Sequence, residues 1–96
     1  DKRYTKYFNY DKIQGKDIIL RFKKNGDRLR PLGMEGTKKL KDIFIVLKIP
    51  KDERGKIPLI CFNDDIAWII GYKLSNDFKV RNNIKNVLEI NVKEDD

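Results

Sequence analysis

Histidine is absent from this chain of 96 residues, and cysteine, methionine and tryptophan occur once each. Without histidine the chain lacks the commonest general base and the commonest metal ligand. A lone thiol, Cys61, can form neither an internal disulfide nor a zinc site. It lies in the apolar run Leu59-Ile60-Cys61-Phe62, which points to a buried thiol and suits a reducing, cytoplasmic compartment. No Walker-type loop, dinucleotide fingerprint or serine elbow occurs. No apolar run approaches the roughly 20 residues that span a bilayer, so no membrane partner is expected, and no signal peptide is visible. The neighbouring carboxylates Asp64-Asp65 and Asp52-Glu53 fall in a turn and at the start of a short helical segment, both ordinary places for acids. The chain by itself is therefore expected to carry no catalytic residue, no metal and no cofactor. Met34 is the sole methionine and the chain opens on Asp1, so a piece of a longer protein is expected.

What the sequence does contain is enough for one folded domain. Hydrophobic residues make up 40% and charged residues 39%, of mixed sign, unlike a disordered tail. Tyr4 to Tyr10 is aromatic-rich and reads as a strand or a lead-in from a preceding domain. Gln14-Gly15-Lys16 is a turn, and Asp17 to Lys23 is a strand with Ile18, Leu20 and Phe22 on one face. Asn25-Gly26-Asp27 is a strong turn signal, and Pro31 and Gly33 keep the next segment irregular.

A helix follows, with Thr37 as its cap, Leu40, Ile43, Phe44 and Leu47 at helical spacing, and Ile49-Pro50 as its stop. Lys51 to Gly55 adds a short helical turn. Pro58 to Phe62 and Ile66 to Ile70 are apolar runs joined at Asn63-Asp64-Asp65, which reads as a hairpin. Trp68 belongs to the core in this reading. Phe78-Lys79-Val80 extends the sheet and Val87 to Val92 gives a last strand. This order makes an α+β domain, a compact mixed fold with short strands around one main amphipathic helix. Residues 1–16 are a lead-in, 17–92 the domain, and 93–96 a frayed acidic end.

The charge is localised. Arg21 to Lys56 holds twelve Lys/Arg against five Asp/Glu, while the remaining residues carry ten of each, so the net charge of +7 comes from this block. Lys38, Lys39 and Lys41 are expected in the first helical turn, where they would oppose the helix dipole unless an anion sat there. Arg28 and Arg30 lie just upstream, Lys48, Lys51 and Arg54 just downstream. So broad a run of cations favours phosphate-backbone contact over base readout, and RNA is the expected partner. Ile45 and Val46 project away from the apolar stripe. Either the helix is buried on more than one side, or this side docks another domain or subunit.

Read as one string, these residues resemble the C-terminal domain of tRNA(Ile)-lysidine synthetase. The matching elements are Gly26-Asp27-Arg28, Pro31-Leu32-Gly33, Gly36 with Lys38-Lys39-Leu40-Lys41-Asp42, and Lys48-Ile49-Pro50. Arg54, Ile57-Pro58-Leu59, Ile66-Ala67-Trp68 with Gly71, and Phe78-Lys79-Val80 continue the pattern. The likeness runs from about Ile18 to Ile90 and departs at Val46, where the family is expected to carry an acid.

The resemblance implies a compact mixed α/β fold shared with a domain of phenylalanyl-tRNA synthetase. It implies that the parent uses ATP and Mg, in a separate N-terminal PP-loop domain with an SGGxDS-type motif, to adenylate the wobble cytidine of an isoleucine tRNA with a CAU anticodon and join lysine to it. Nothing in this chain matches that motif. The part implied here is the tRNA grip, on the acceptor stem, with Arg28, Arg30, Lys38, Lys39, Lys41 and Arg54 holding phosphates. The competing expectation is a non-catalytic module that docks the rest of the parent chain or forms a homodimer.

Overall fold

A computed structural model describes residues 3–83 and 85–93. Strand β1 (Thr5–Asn9) leads directly into a single helical turn, α1 (Tyr10–Ile13), capped by the Asn9 side chain, which accepts from the Asp11 N–H. Strand β2 (Ile18–Arg21) is followed by two very short strands, β3 (Arg28–Leu29) and β4 (Lys38–Lys39), and by helix α2 (Leu40–Val46). The second half contributes β5 (Leu59–Phe62), β6 (Asp65–Ile69), β7 (Lys73–Leu74) and β8 (Val87–Asn91).

Strands β2, β5, β6 and β7 form an antiparallel sheet in that order, β1 pairs with β8, and β3 pairs with β4. The segment expected as a lead-in thus supplies β1 and α1, and buries Phe8 and Ile13. The acidic end expected to fray, Glu94-Asp95-Asp96, lies outside the described residues.

Three layers result. Strand β5 is buried on both faces. One face, with Leu59, Cys61, Ile66 and Ile69, packs against Leu40, Ile43 and Phe44 of α2. The other, with Ile60, Phe62, Trp68 and Ile70, packs against Phe8 of β1 and Ile13 of α1. A register shift after Ile60 pairs Trp68 with Ile60 but Ile66 with Cys61, leaving Ala67 as an extra residue. This bulge lets neighbouring Ala67 and Trp68 both join the same core cluster, which strict alternation would forbid. Trp68 and Cys61 are fully buried, as expected. Each fully buried large apolar side chain contributes about 1.5–3 kcal/mol to folding.

The hairpin is also as expected: β5 and β6 are joined by Asn63-Asp64, with Asn63 at φ +54, a conformation Asn tolerates well. Two expectations about strands are corrected. Phe78-Lys79-Val80 is not a strand, because Ser75 caps a 3-10 turn over Asn76–Phe78 that turns Phe78 inward. Strand β2 forms, but its Ile18-Leu20-Phe22 side, each residue more than half exposed, does not reach the core. As the edge strand it lies beyond the cover that the β1–β8 ribbon gives β5 and β6.

Helix α2 carries the expected stripe, but it starts later than the sequence suggests. Lys38 and Lys39 are paired in β4, and Lys39 occupies the N-cap position without any side-chain cap bond. Lysine has no acceptor to offer there. The Thr37 hydroxyl accepts from Arg28 Nε at 2.9 Å instead of capping the helix. Only Lys41 lies in the first turn, together with Asp42. The expected violation of the helix dipole by three lysines is therefore not what the structure contains.

At its far end the helix closes before Pro50. Lys48 takes a left-handed φ of +59, its N–H donates to Ile45 O, and Ile49 N–H donates to Phe44 O. This is the Schellman pattern, with Ile49 and Phe44 sharing the core cluster beneath it. Ile45 and Val46, 50% and 75% exposed, face solvent, so the second side of the helix is not a buried one.

Candidate functional site

The basic block gathers around a hollow of about 360 Å³ at the start of α2. Three stretches meet there. The β2–β3 turn contributes Lys23 and Lys24, the β4–α2 junction Lys39 and Lys41, and the segment after α2 Lys51 and Arg54. These six cations share the hollow with one carboxylate, Asp27.

Asp27 is already engaged. Its carboxylate accepts from both terminal guanidinium nitrogens of Arg21, at 2.9 and 3.1 Å, and from the Lys24 N–H at 2.7 Å. Burial by itself would raise its pKa; the Arg21 and Lys24 bonds outweigh that and hold the carboxyl below its ordinary 3.8. It is ionised throughout the neutral range, but its charge is balanced by Arg21. The hollow thus keeps a positive surplus of six side chains.

The same residue builds the hollow's shape. Asp27 N–H closes the turn onto Lys24 O, while Asp27 O accepts the Leu40 N–H at 3.0 Å. Gly26, at φ +87, lets the turn fold back. One aspartate therefore fixes the turn lysines against the helix start. Arg54 is held from the opposite wall, its Nε donating to Ile49 O at 2.9 Å. That acceptor is available because the Schellman close turns the chain at Lys48.

Of the six residues expected to bind phosphate, the structure brings Lys39, Lys41 and Arg54 together here. Lys38 points elsewhere, since neighbours on a strand face opposite ways, and it lines a small groove with Met34, Ile43 and Val46. Arg28 stands opposite Lys39 in the ribbon, but its guanidinium donates to the Thr37 hydroxyl and carbonyl. Arg30 donates to Glu35 O and forms an ion pair with Asp77. Lys23, Lys24 and Lys51 line the hollow without having been among the expected six. Their clue was the same charge count; what hid them was the long-range Asp27–Leu40 tie.

Comparison with known proteins agrees with this architecture. A family model described as "TilS substrate C-terminal domain" matches residues 18–91. The tRNA(Ile)-lysidine synthase of Clostridium tetani is 55% identical over 89 residues, covering 93% of this chain and 19% of the relative. That of Caldanaerobacter subterraneus is 51% identical over 87 residues, covering 91% of this chain and 18% of the relative. This chain thus spans about a fifth of the length of such curated relatives.

A solved structure described as "Crystal structure of TILS C-terminal domain" superposes with a TM-score of 0.64 at 32% identity, over 81% of this chain and 63% of that one. An N-terminal fragment of the phenylalanyl-tRNA synthetase β-subunit from Pyrococcus horikoshii shares the fold, with a TM-score of 0.71 at 20% identity, over 88% of this chain and 26% of that one. The fold is therefore the compact α+β type expected from periodicity and from the resemblance. With the family model covering most of its length, the chain belongs to the TilS substrate C-terminal domain family.

Proposed function

We propose that this domain grips the phosphate backbone of a tRNA through the hollow at the start of α2. The observation that carries the reading is the grouping of Lys23, Lys24, Lys39, Lys41, Lys51 and Arg54 around one concavity whose only carboxylate is already bonded to Arg21. Flexible ammonium groups with no ion pair among the described residues suit phosphate contact, which positions a nucleic acid without reading its sequence. A duplex stem, the acceptor stem of an isoleucine tRNA, is the partner this favours.

In the parent the grip would hold the tRNA while a separate catalytic domain, using ATP and Mg, joins lysine to the wobble cytidine. The cytoplasm is the compartment that goes with such a reaction. NMR mapping with a duplex RNA stem tests the grip. Amide shifts are expected at residues 23–27, 39–41 and 51–54; shifts confined to any other surface would refute it.

The exposed Ile45 and Val46 favour a second reading, a docking face for a second copy or for the rest of the parent. Sedimentation separates the two. A dimer indifferent to added RNA supports docking, and a monomer that gains mass only with RNA supports the grip.

A further inference from the structure

A second hollow, of about 410 Å³, opens between β1 and the β6–β7 turn, lined by none of the residues of the first. Arg3 and Lys6 form one wall, Leu32 another, and Tyr72, Lys73 and Leu74 a third. The frame around it is tied down. Gly71 at φ +88 makes the tight turn, and Tyr72 N–H donates to Ile69 O at 2.9 Å. Leu32 N–H donates to Leu74 O at 3.2 Å, holding the loop after β3 against β7. Trp68, fully buried, forms part of the floor.

The chemistry differs from that of the first hollow. There, six cations meet no aromatic ring. Here three cations and, among the described residues, no carboxylate line the hollow beside a tyrosine that keeps 49% of its surface exposed, with Leu32 also open to solvent. A half-exposed ring that shares a hollow with cations suits single-stranded nucleic acid, the base on the ring and the phosphate on the ammonium groups. The volume lies in the range of small-ligand sites, roughly 300–1,000 Å³, and is far too small for a duplex.

We propose that this hollow takes one unpaired nucleotide, its base against Tyr72 and its phosphate on Lys6 and Lys73. The RNA bound by this chain would then present a single-stranded segment as well as a stem. An acidic protein segment could use the same cations, but it would not depend on a ring face. That difference is what the test reads.

The intact chain is titrated with a labelled 5′-phosphorylated single-stranded hexanucleotide and, separately, with a blunt RNA duplex, both followed by anisotropy. Tyr72→Ala should weaken the hexanucleotide about fivefold or more, the lower end for one base stack, and leave the duplex unchanged. Tyr72→Phe should bind the hexanucleotide like the wild type. Lys6→Ala/Lys73→Ala should lower its salt dependence, whereas Lys39→Ala/Lys41→Ala should not. Because Tyr72 is half-exposed, its two variants should keep the wild-type urea midpoint.

The proposal is overturned if the hexanucleotide does not bind, if Tyr72→Ala binds it as the wild type does, or if Tyr72→Phe is as weak as Tyr72→Ala. Loss of hexanucleotide binding in Lys39→Ala/Lys41→Ala would also overturn it, by placing the single strand in the first hollow.

Discussion

Nine of the twelve cations of the basic block fall into two groups that the sequence does not distinguish. Arg21, Arg28 and Arg30 have fixed internal partners: the Asp27 carboxylate, Thr37, and Asp77 with Glu35 O. Lys23, Lys24, Lys39, Lys41 and Lys51 surround the hollow, joined by Arg54, which anchors itself through a single nitrogen. The planar guanidinium, with several donors in a fixed fork, braces turns and ribbons, while the flexible ammonium stays at the surface. Charge along the chain therefore overstates the binding surface; what counts is charge left over after the fold has used its share.

Attacking the brace should give the largest change. Asp27→Ala removes the acceptor of a largely buried Arg21, whose side chain is 18% exposed, and frees the turn from the helix start. A loss of about 2 kcal/mol in urea unfolding is expected, typical for hydrogen bonds to charged groups. The pH dependence follows in sign. Because the folded pKa of Asp27 lies below 3.8, its contribution is complete above that value and is lost as pH falls through the depressed folded pKa. Asp27→Asn should flatten this acid limb.

At Lys39 the two groups can be set against each other in one residue. Lysine is a poor N-cap, so Lys39→Ser should stabilise the domain by about 0.5–1 kcal/mol. The same change should weaken RNA binding several-fold and lower the salt slope by about 0.7–0.9. Opposite signs on stability and affinity would mark a position kept for contact rather than for folding. Its neighbour sharpens the contrast: Lys38→Ala, on the other side of the ribbon, should leave both nearly unchanged. A smaller gain than at Lys39 is expected at Lys48→Gly, which relieves a left-handed lysine and should raise stability by about 0.5 kcal/mol without touching the hollow.

Local patterns carried most of the fold. The Leu40/Ile43/Phe44 stripe, the Asn63-Asp64 loop and the last strand follow from periodicity and turn chemistry alone. Where the reading failed, a distant partner had intervened. Thr37 would cap α2 if Arg28 did not take its hydroxyl, and the β3–β4 pairing draws Lys38 and Lys39 out of the helix. Strand β2 alternates as a half-buried strand should, yet its apolar side is open because nothing in the chain order reveals how far the β1–β8 ribbon reaches. The candidate site was legible as a charged block and not as a place. Lys23 and Lys24 reach the helix start only through Asp27, a contact no local rule anticipates.

The salt dependence of binding to a duplex RNA stem tests the division of cations most directly, compared between Lys39→Ala/Lys41→Ala and Arg28→Ala/Arg30→Ala. Both variants lose two charges, so a diffuse electrostatic effect would treat them alike. The log–log slope should fall by about 1.5 for the lysine pair and stay near the wild-type value for the arginine pair. Equal slopes in the two variants, or the larger fall in the arginine pair, would contradict the account.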